Sequence, residues 1–377
     1  MTGRPVIALV SDSVWPYHRG GKEARYHALV PRLARAADVD VYTMAWWGPG
    51  ERTAGGATYR AVCRRHDLYD GERRSVRQAL AFAAGCLRLA TRRFDVIEAD
   101  HMPYLQLFPL RAVATVRRRR LVVTWHEVWG PAYWRRYLGR RGRIAWWIER
   151  AAMRLPDEVL AASDETARRL RAHLGAGARV TVAPNGVDLD AVRRVAAAPG
   201  AVDVVVVGRL LAHKRVDMLI DALALLRARG RPVTARVVGS GPELARLRAR
   251  AVARGVAGQV EFLTGVQGQE AVYALMKAAR VFAFPSEREG FGIAALEALA
   301  CGLPVVTTSA PDNQAAPMVA SSGRGAVCAP AAAPFADALE AALDAPAPQA
   351  VDPAHDAWLA AYDWDAVSGC VIEAVLR

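Results

Sequence analysis

Glu289 and Glu297 stand eight residues apart in a stretch that begins Pro285-Ser286-Glu287-Arg288-Glu289-Gly290-Phe291-Gly292 and runs on to Cys301-Gly302-Leu303-Pro304-Val305-Val306. The apolar run between them reads as a helix. Eight residues of helix rise about 12 Å over roughly two turns, which puts both carboxylates near one face. Gly290 and Gly292 leave the backbone open to close approach beside the first of them. An elongated polar ligand could be held at both points, since a carboxylate that accepts two hydroxyls discriminates against a ligand lacking either. Two acids at this spacing equally describe a solvated helix face, so their meaning depends on the company they keep.

That company is Gly20-Gly21-Lys22-Glu23 after the first predicted strand, Trp125-His126-Glu127 at the end of another, and Pro184-Asn185-Gly186-Val187-Asp188 near the chain centre. Gly208-Arg209-Leu210-Leu211-Ala212-His213-Lys214-Arg215 and Gly239-Ser240-Gly241-Pro242-Glu243 follow. Arg209 and Lys214 lie just past a strand end, where a fork of donors and a mobile ammonium suit the growing charge of a pyrophosphate leaving group. Lysine is scarce, and of Lys22, Lys214 and Lys277 two fall inside candidate phosphate motifs. Gly20 and Gly21 open a helix whose free N–H groups can face a phosphate, although a tight turn needing glycine for its dihedrals looks the same. A lone strand-end histidine such as His126 is most often structural.

In this order the motifs resemble those of the retaining glycosyltransferases of family 4, whose Glu-x7-Glu signature matches Glu289 and Glu297, and the resemblance covers nearly the whole chain. It implies an α/β protein with the GT-B fold: two doubly wound, Rossmann-like parallel-sheet domains facing a cleft, with a last helix crossing back to the N-terminal domain. It implies as donor substrate a nucleoside-diphosphate sugar, a UDP-sugar or GDP-mannose, and no further cofactor. By this resemblance Glu289 hydrogen-bonds the donor sugar, with Gly290 and the backbone of Phe291 and Gly292 approaching sugar and phosphate. Glu297 binds the ribose diol, Val266 in Thr264-Gly265-Val266 lies near the nucleobase, Arg209 and Lys214 hold the diphosphate, and Gly20 and Gly21 face it. His126 contacts the sugar near the reacting centre, which makes His126, Arg209, Lys214 and Glu289 the catalytic group. The chain departs from the family in having His126-Glu127 where His-Asp is common, and Asp312-Asn313-Gln314-Ala315-Ala316-Pro317 where a glycine-rich loop ends in Glu.

Retention of configuration comes wholly from the resemblance, and the path it implies is same-face transfer in which the departing diphosphate takes the acceptor proton. Metal independence is the expectation because the basic residues could neutralise the diphosphate, although Asp-x-Asp triplets do occur at 38–40, 188–190 and 363–365. The alternatives are a GT-B sugar-nucleotide epimerase, a glycan phosphorylase, for which three lysines leave little room, and a noncatalytic partner subunit that binds glycan or membrane. The acceptor is a glycan, a lipid-linked carrier or a small molecule, and its choice falls to variable loops near residues 46–56 and 127–143.

Positioning these motifs requires two sheets. Short β-branched runs alternate with helical patterns throughout, as in parallel sheets covered on both faces. Strands are predicted at 6–10, 39–43, 59–62, 96–99, 121–125, 158–161 and 180–183, then at 204–207, 235–238, 260–263, 281–284 and 305–308. A chain of 377 residues exceeds one core. The expected domains are 1–190 and 191–355, the break falling after Asp188 in the stretch 195–200, with 356–377 as the returning helix. Residues 329–334 and 345–353 read as Pro/Ala-rich connectors.

Residues 1–190 carry 32 Lys and Arg against 19 Asp and Glu, whereas residues 191–377 carry 18 of each, so the whole net charge of +13 sits in the first half. Its densest part, Arg117 to Arg120 and then Arg135, Arg136, Arg140, Arg141 and Arg143, is interleaved with Trp134, Tyr137, Trp146 and Trp147. Such a segment suits an anionic membrane surface, where each cation contributes about 1 kcal/mol, or an anionic acceptor. An arginine-rich composition that merely solubilises a face gives the same count. Nucleic acid is not indicated, because no reading motif accompanies the charge. Without an apolar run long enough to span a bilayer or an evident signal peptide, the expectation is a cytoplasmic protein, at most peripheral at the inner membrane face. Cys63, Cys86, Cys301, Cys328 and Cys370 form no Cys-x-x-Cys and are expected to be reduced.

Overall fold

Runs rich in valine, isoleucine and leucine become strands here because branched side chains pack well on a pleated surface buried on both faces. The computed structural model describes residues 3–70, 73–175, 177–346 and 352–377. The chain divides into two units, one containing the residues up to Asn185 together with Trp364–Arg377, the other Gly186–Asp363.

The strands of the first unit are β1 (Val6–Val10), β2 (Asp38–Ala45), β3 (Arg52–Ala54), β4 (Ala57–Arg64), β5 (Tyr69–Asp70), β6 (Arg73–Arg74), β7 (Val96–Asp100), β8 (Arg120–Trp125), β9 (Glu158–Ala161) and β10 (Val180–Val182). Eight of them make one sheet in the order β10-β9-β8-β7-β1-β2-β4-β3, and β5 pairs with β6 in a separate ribbon. All pairings in the large sheet are parallel except the β3–β4 hairpin. The order reverses between β1 and β7, so the loops leaving those strands diverge and open a crevice at their carboxyl ends. Ile7, Ala8, Leu9 and Val10 are wholly buried, covered on one face by Tyr26, Leu29, Val30 and Leu33 of the Gly21–Ala36 helix. The Trp364–Leu376 helix adds Trp364, Val367, Val371 and Val375 to the same core. Arg120 fixes its end by donating to the carbonyls of Ala374 at 3.1 Å and Arg377 at 3.0 Å.

The second unit contains β11 (Val202–Val207), β12 (Ala235–Val238), β13 (Val260–Leu263), β14 (Ala279–Phe284), β15 (Arg288–Glu289), β16 (Val305–Thr308), β17 (Asp312–Asn313) and β18 (Gly325–Cys328). Its sheet is parallel throughout, in the order β13-β12-β11-β14-β16-β18, with the reversal between β11 and β14. Just beyond β11 and β12 the chain packs backbone on backbone: a Cβ at Gly239 would lie 1.9 Å from the Gly208 carbonyl oxygen. Only glycine fits there, and the contact is secured by the Leu210 amide donating to the Ser240 carbonyl at 2.9 Å.

The units part between Asn185 and Gly186, earlier than the expected break after Asp188, because Val187 and the Leu189–Arg194 helix bury Val187, Leu189 and Val192 in the core of the second unit. The segment expected as one returning helix over 356–377 is two. Pro353–Ala360 belongs to the second unit, where His355 lies between the carbonyls of Ser322 and Leu299, and only the Trp364–Leu376 helix joins the first. The connector at 329–334 overlaps a helix that starts at Ala332, since Pro334 sits in the first turn, where its missing N–H is tolerated. Of the connector at 345–353, residues 347–351 lie outside the described residues. Among the short strands absent from the sequence reading, β18 is a half-exposed edge of sequence Gly-Ala-Val-Cys with little periodicity.

Glu98 in β7 is 1% exposed and accepts hydrogen bonds from the hydroxyls of Thr124 at 2.6 Å and Tyr26 at 3.1 Å. Burial pushes its pKa up to about 7 against those bonds. A carboxyl whose pKa is raised by folding stabilises fully below its unfolded pKa and loses that contribution as pH rises through the folded value. Denaturant unfolding from pH 4 to 8 is therefore expected to show the wild type losing up to about 3 kcal/mol relative to Glu98→Gln. Parallel curves for the two proteins would contradict this.

Candidate functional site

Residues 285–292 leave the carboxyl end of β14 beside the loop that leaves β11, at the reversal of the second sheet. Glu289 is buried and lies in β15, where pairing with β17 sets it opposite Asn313. The Gln314 amide donates to the Glu289 carbonyl at 3.0 Å, and the Asn313 side chain donates to Thr307 Oγ1 at 3.0 Å and the Thr308 carbonyl at 2.8 Å. The Asp312-Asn313-Gln314 segment that departs from the family pattern thus braces the Glu289 loop. Lys214 Nζ donates to Glu289 Oε1 at 2.5 Å and lies 5.8 Å from the centre of the Phe284 ring. The Glu287 amide, donating to the His213 carbonyl at 2.8 Å, ties the two loops together. Arg209 is exposed beside them and makes no ion pair among the described residues. A small pocket lined by Gly208, Arg209, Lys214, Phe284, Pro285 and Ser286 opens there.

Gly292 adopts the left-handed conformation at φ +88° and starts the Ile293–Ala300 helix. Residues 290–292 are therefore not helical, and the two-turn geometry expected from Glu289 to Glu297 does not hold: the first acid belongs to a strand, the second to the second turn of the next helix. Glu297 accepts a hydrogen bond from Gln269 Nε2 at 2.7 Å. Loss of hydration pushes its pKa up to about 8 against that bond, although the side chain keeps some solvent contact. Phe291 is buried with its ring 6.2 Å from that of Tyr362, Gly290 is half-buried, and Val266 packs at the edge of the same core.

In the first unit Gly20 and Gly21 are exposed at the start of the Gly21–Ala36 helix, where Gly20 is the N-cap without a capping side chain. The nearest anion is internal, since a Cβ on Gly20 would meet Glu23 Oε2 at 2.5 Å and Glu23 accepts a hydrogen bond from Ser13. Lys22 turns inward to pair with Asp12 and, at 2.7 Å, with Asp100. Asp12 also meets Arg74 at 3.2 Å and Gln78 Nε2 at 3.1 Å. Burial alone would raise both carboxyls, but Lys22, helped by Arg74 at Asp12 and by His101 at Asp100, holds them below the usual carboxylate range. Burial likewise opposes the Lys22 charge, and Asp100 and Asp12 outweigh it, holding the ammonium above its ordinary pKa.

His126 stands one residue past β8, its Nε2 3.5 Å from Asp100 Oδ1, while His101 Nδ1 lies 3.3 Å from the same oxygen. Burial pulls the His126 pKa down to about 3 in spite of Asp100, so the ring is neutral near pH 7. Glu127, the second departure from the family pattern, accepts from the Trp129 indole at 2.7 Å. The sequence reading missed Asp12, Arg74, Gln78, Asp100, His101 and Gln269. The polar residues of Glu98-Ala99-Asp100-His101, ending an otherwise apolar strand, were a usable signal, whereas Arg74 and Gln78 lie in no local pattern. Ligand atoms of Asp100, His101 and His126 lie within 4.8 Å of one another, a spacing a metal could use, but the Lys22 ammonium already meets Asp100 there.

Two Rossmann-like units of this topology, with basic and acidic side chains at the carboxyl ends of their strands, are the architecture of the GT-B class. Solved structures agree in fold: Anabaena HepE in complex with UDP and glucose matches with a TM-score of 0.73 at 21% identity over 99% of both chains. A sucrose-phosphate synthase from Thermosynechococcus elongatus matches with a TM-score of 0.75 at 18% identity over 98% of both. Residues 191–356 match the family described as Glycosyl transferases group 1, and residues 19–191 match Glycosyltransferase Family 4. A GDP-mannose-dependent alpha-(1-6)-phosphatidylinositol monomannoside mannosyltransferase of Mycolicibacterium smegmatis is 31% identical over 320 residues, 79% of each chain. A D-inositol 3-phosphate glycosyltransferase of Jonesia denitrificans is 42% identical over 106 residues, 26% of this chain and 25% of its own. The chain belongs to glycosyltransferase family 4.

A methyl group at residue 292 would lie 2.5 Å from Ala315 Cβ and 3.2 Å from the Phe284 ring, at a backbone angle that L-residues avoid. Gly292→Ala is expected to lower the unfolding free energy by about 2 kcal/mol or more. A chemical denaturation midpoint equal to that of the wild type would show that the loop relaxes freely.

Proposed function

We propose that the protein transfers a hexosyl group from a nucleoside-diphosphate sugar, with GDP-mannose the first candidate and a UDP-sugar the second, to a hydroxyl of a lipid-linked acceptor, with retention and without a metal ion. The observation that carries this reading is the Lys214–Glu289 pair at 2.5 Å beside the exposed Arg209, all in loops at the carboxyl ends of β11 and β14. Arg209 and Lys214 stabilise the charge that grows on the departing diphosphate, supplying the positive field that a metal ion would otherwise bring. Glu289 accepts sugar hydroxyls, Glu297 the ribose diol, and the backbone of residues 290–292 approaches sugar and phosphate. Val266 flanks the base, and Gly20 and Gly21 face the diphosphate. His126, neutral near pH 7, touches the sugar at the reacting centre. The acceptor proton passes to the leaving phosphate on the same face. The GDP-mannose preference draws on the mannosyltransferase relative, and the bound UDP of HepE keeps the second donor in play.

A lipid-linked acceptor is favoured by the surface of the first unit. The Gly142–Ala152 helix exposes Ile144 at 65% and Trp147 at 60%, beside exposed Arg140, Arg141 and Arg143, and Arg150 lies over the Trp147 ring at 5.3 Å. Apolar side chains rimmed by arginines suit shallow insertion among anionic headgroups. No helix among the described residues is long and apolar enough to cross a membrane. The reading is of a cytoplasmic enzyme peripheral to the inner membrane face.

Thermal unfolding with UDP, GDP, ADP and TDP tests the donor site. One nucleotide should stabilise the wild type, by about 2.7 kcal/mol at a hundredfold excess over Kd, and neither Arg209→Ala nor Glu297→Ala should respond. Equal shifts in all three proteins would remove these residues from the site. In a separate measurement, vesicles containing phosphatidylglycerol should sediment the wild type several-fold better than an Ile144→Ser, Trp147→Ser double variant. Equal sedimentation would discard the membrane contact.

A further inference from the structure

Asp100 is wholly buried at the end of β7, and the sheet pairs it with Thr124, two residues before His126. Its two oxygens have different duties. Oδ2 meets the Lys22 ammonium at 2.7 Å, while Oδ1 accepts from the Met102 amide at 3.2 Å and faces His126 Nε2 at 3.5 Å and His101 Nδ1 at 3.3 Å. A buried carboxylate persists only when its charge is matched, and here the matching is closed without the histidines: Lys22 serves Asp100 and Asp12, and Arg74 completes Asp12. His126 Nε2, by contrast, is buried and has no hydrogen-bond partner. The nearby group able to accept its proton is Asp100 Oδ1. At 3.5 Å the bond is not formed, which is usual for such pairs in unliganded sites that tighten when substrate binds. A proton held on Nε2 leaves Nδ1 as the accepting nitrogen of the ring, because a neutral imidazole has one donor and one acceptor.

We propose that Asp100 is a positioning residue for the transfer reaction: it fixes the tautomer and orientation of the His126 imidazole, and Lys22 in turn fixes Asp100. The inference rests on the reading in which His126 touches the transferred sugar. It gives Lys22 a function other than the phosphate contact its sequence motif suggested. The ammonium sits where a cation is needed to keep Asp100 ionised and aimed, two contacts removed from the sugar. The competing account is a charge cluster that only stabilises the first sheet.

The full chain, labelled with 15N at its histidine rings, separates the two accounts. The His126 ring signals, assigned by their loss in His126→Ala, should report a neutral ring protonated at Nε2 and should shift in Asp100→Leu, which removes the acceptor but leaves Lys22 its partner Asp12. Asp100→Asn, whose amide carbonyl keeps the shape and can accept, should give an intermediate spectrum, and it serves alone if the leucine variant does not fold. Transfer from labelled GDP-mannose or UDP-glucose should fall tenfold to a hundredfold in kcat for Asp100→Leu and less for Asp100→Asn, with the donor KM within twofold of wild type. Unchanged His126 signals in the folded variants, or a kcat within twofold of wild type, would overturn the proposal. A wild type that transfers no sugar would instead sink the transferase reading, and the ring spectrum would still decide whether Asp100 holds His126.

Discussion

Parallel pairing sends every strand of a sheet in the same direction, so the loops that follow the strands all emerge along one edge, and in both units the chemistry sits on that edge. In the second unit the loops after β11 and β14 leave from the two sides of the strand-order reversal and bring Arg209, Lys214 and Glu289 together, although up to 80 positions separate them in the chain. In the first unit the loops after β1 and β8 and the end of β7 do the same for Asp12, His126 and Asp100. The local devices serve this arrangement. Glycine at 208 and 239 lets adjacent loops pack backbone on backbone, the left-handed Gly292 turns the chain into its helix, and the short β15–β17 pair holds Glu289 in place.

Charge matching is the second constraint, and it separates the two units. Around Asp12 and Asp100 it is internal: the carboxylates are buried, and Lys22 and Arg74, largely covered, pair with them. Around Arg209 it is left open to solvent. A closed cluster of this kind holds geometry, since removing one member leaves a buried charge unmatched. An open one leaves its charge to be met from solvent. The lysines of the two motifs, similar on paper, therefore have different employment.

The sequence made the parallel α/β architecture and most strands of both sheets legible, because β-branched runs such as Val202–Val207 have few other ways to be buried. It also made the Arg209, Lys214 and Glu289 loops legible, since glycine and charge at strand ends form contiguous motifs. Three things escaped. The helical spacing assumed from Glu289 to Glu297 failed at Gly292, whose dihedrals a residue count does not reveal. The division at Asn185 was set by where Leu189 and Val192 find their core, a tertiary choice. The cluster around Asp100 draws on residues 12, 22, 74, 78 and 100, and no window of sequence contains them all.

Lys214 and Glu289, the two residues proposed to meet the phosphate and the sugar of the donor, hold each other in the unliganded protein. An entering molecule has to part them, and parting them leaves a cation and a buried anion to be answered at once. Inorganic phosphate answers the first alone and a free sugar the second alone, so each leaves one charge stranded. Only a molecule that carries an anion and a hydroxyl array in one covalent frame answers both. On the proposed function, the ion pair would therefore favour a ligand that brings both an anion and hydroxyls over inorganic phosphate or a free sugar.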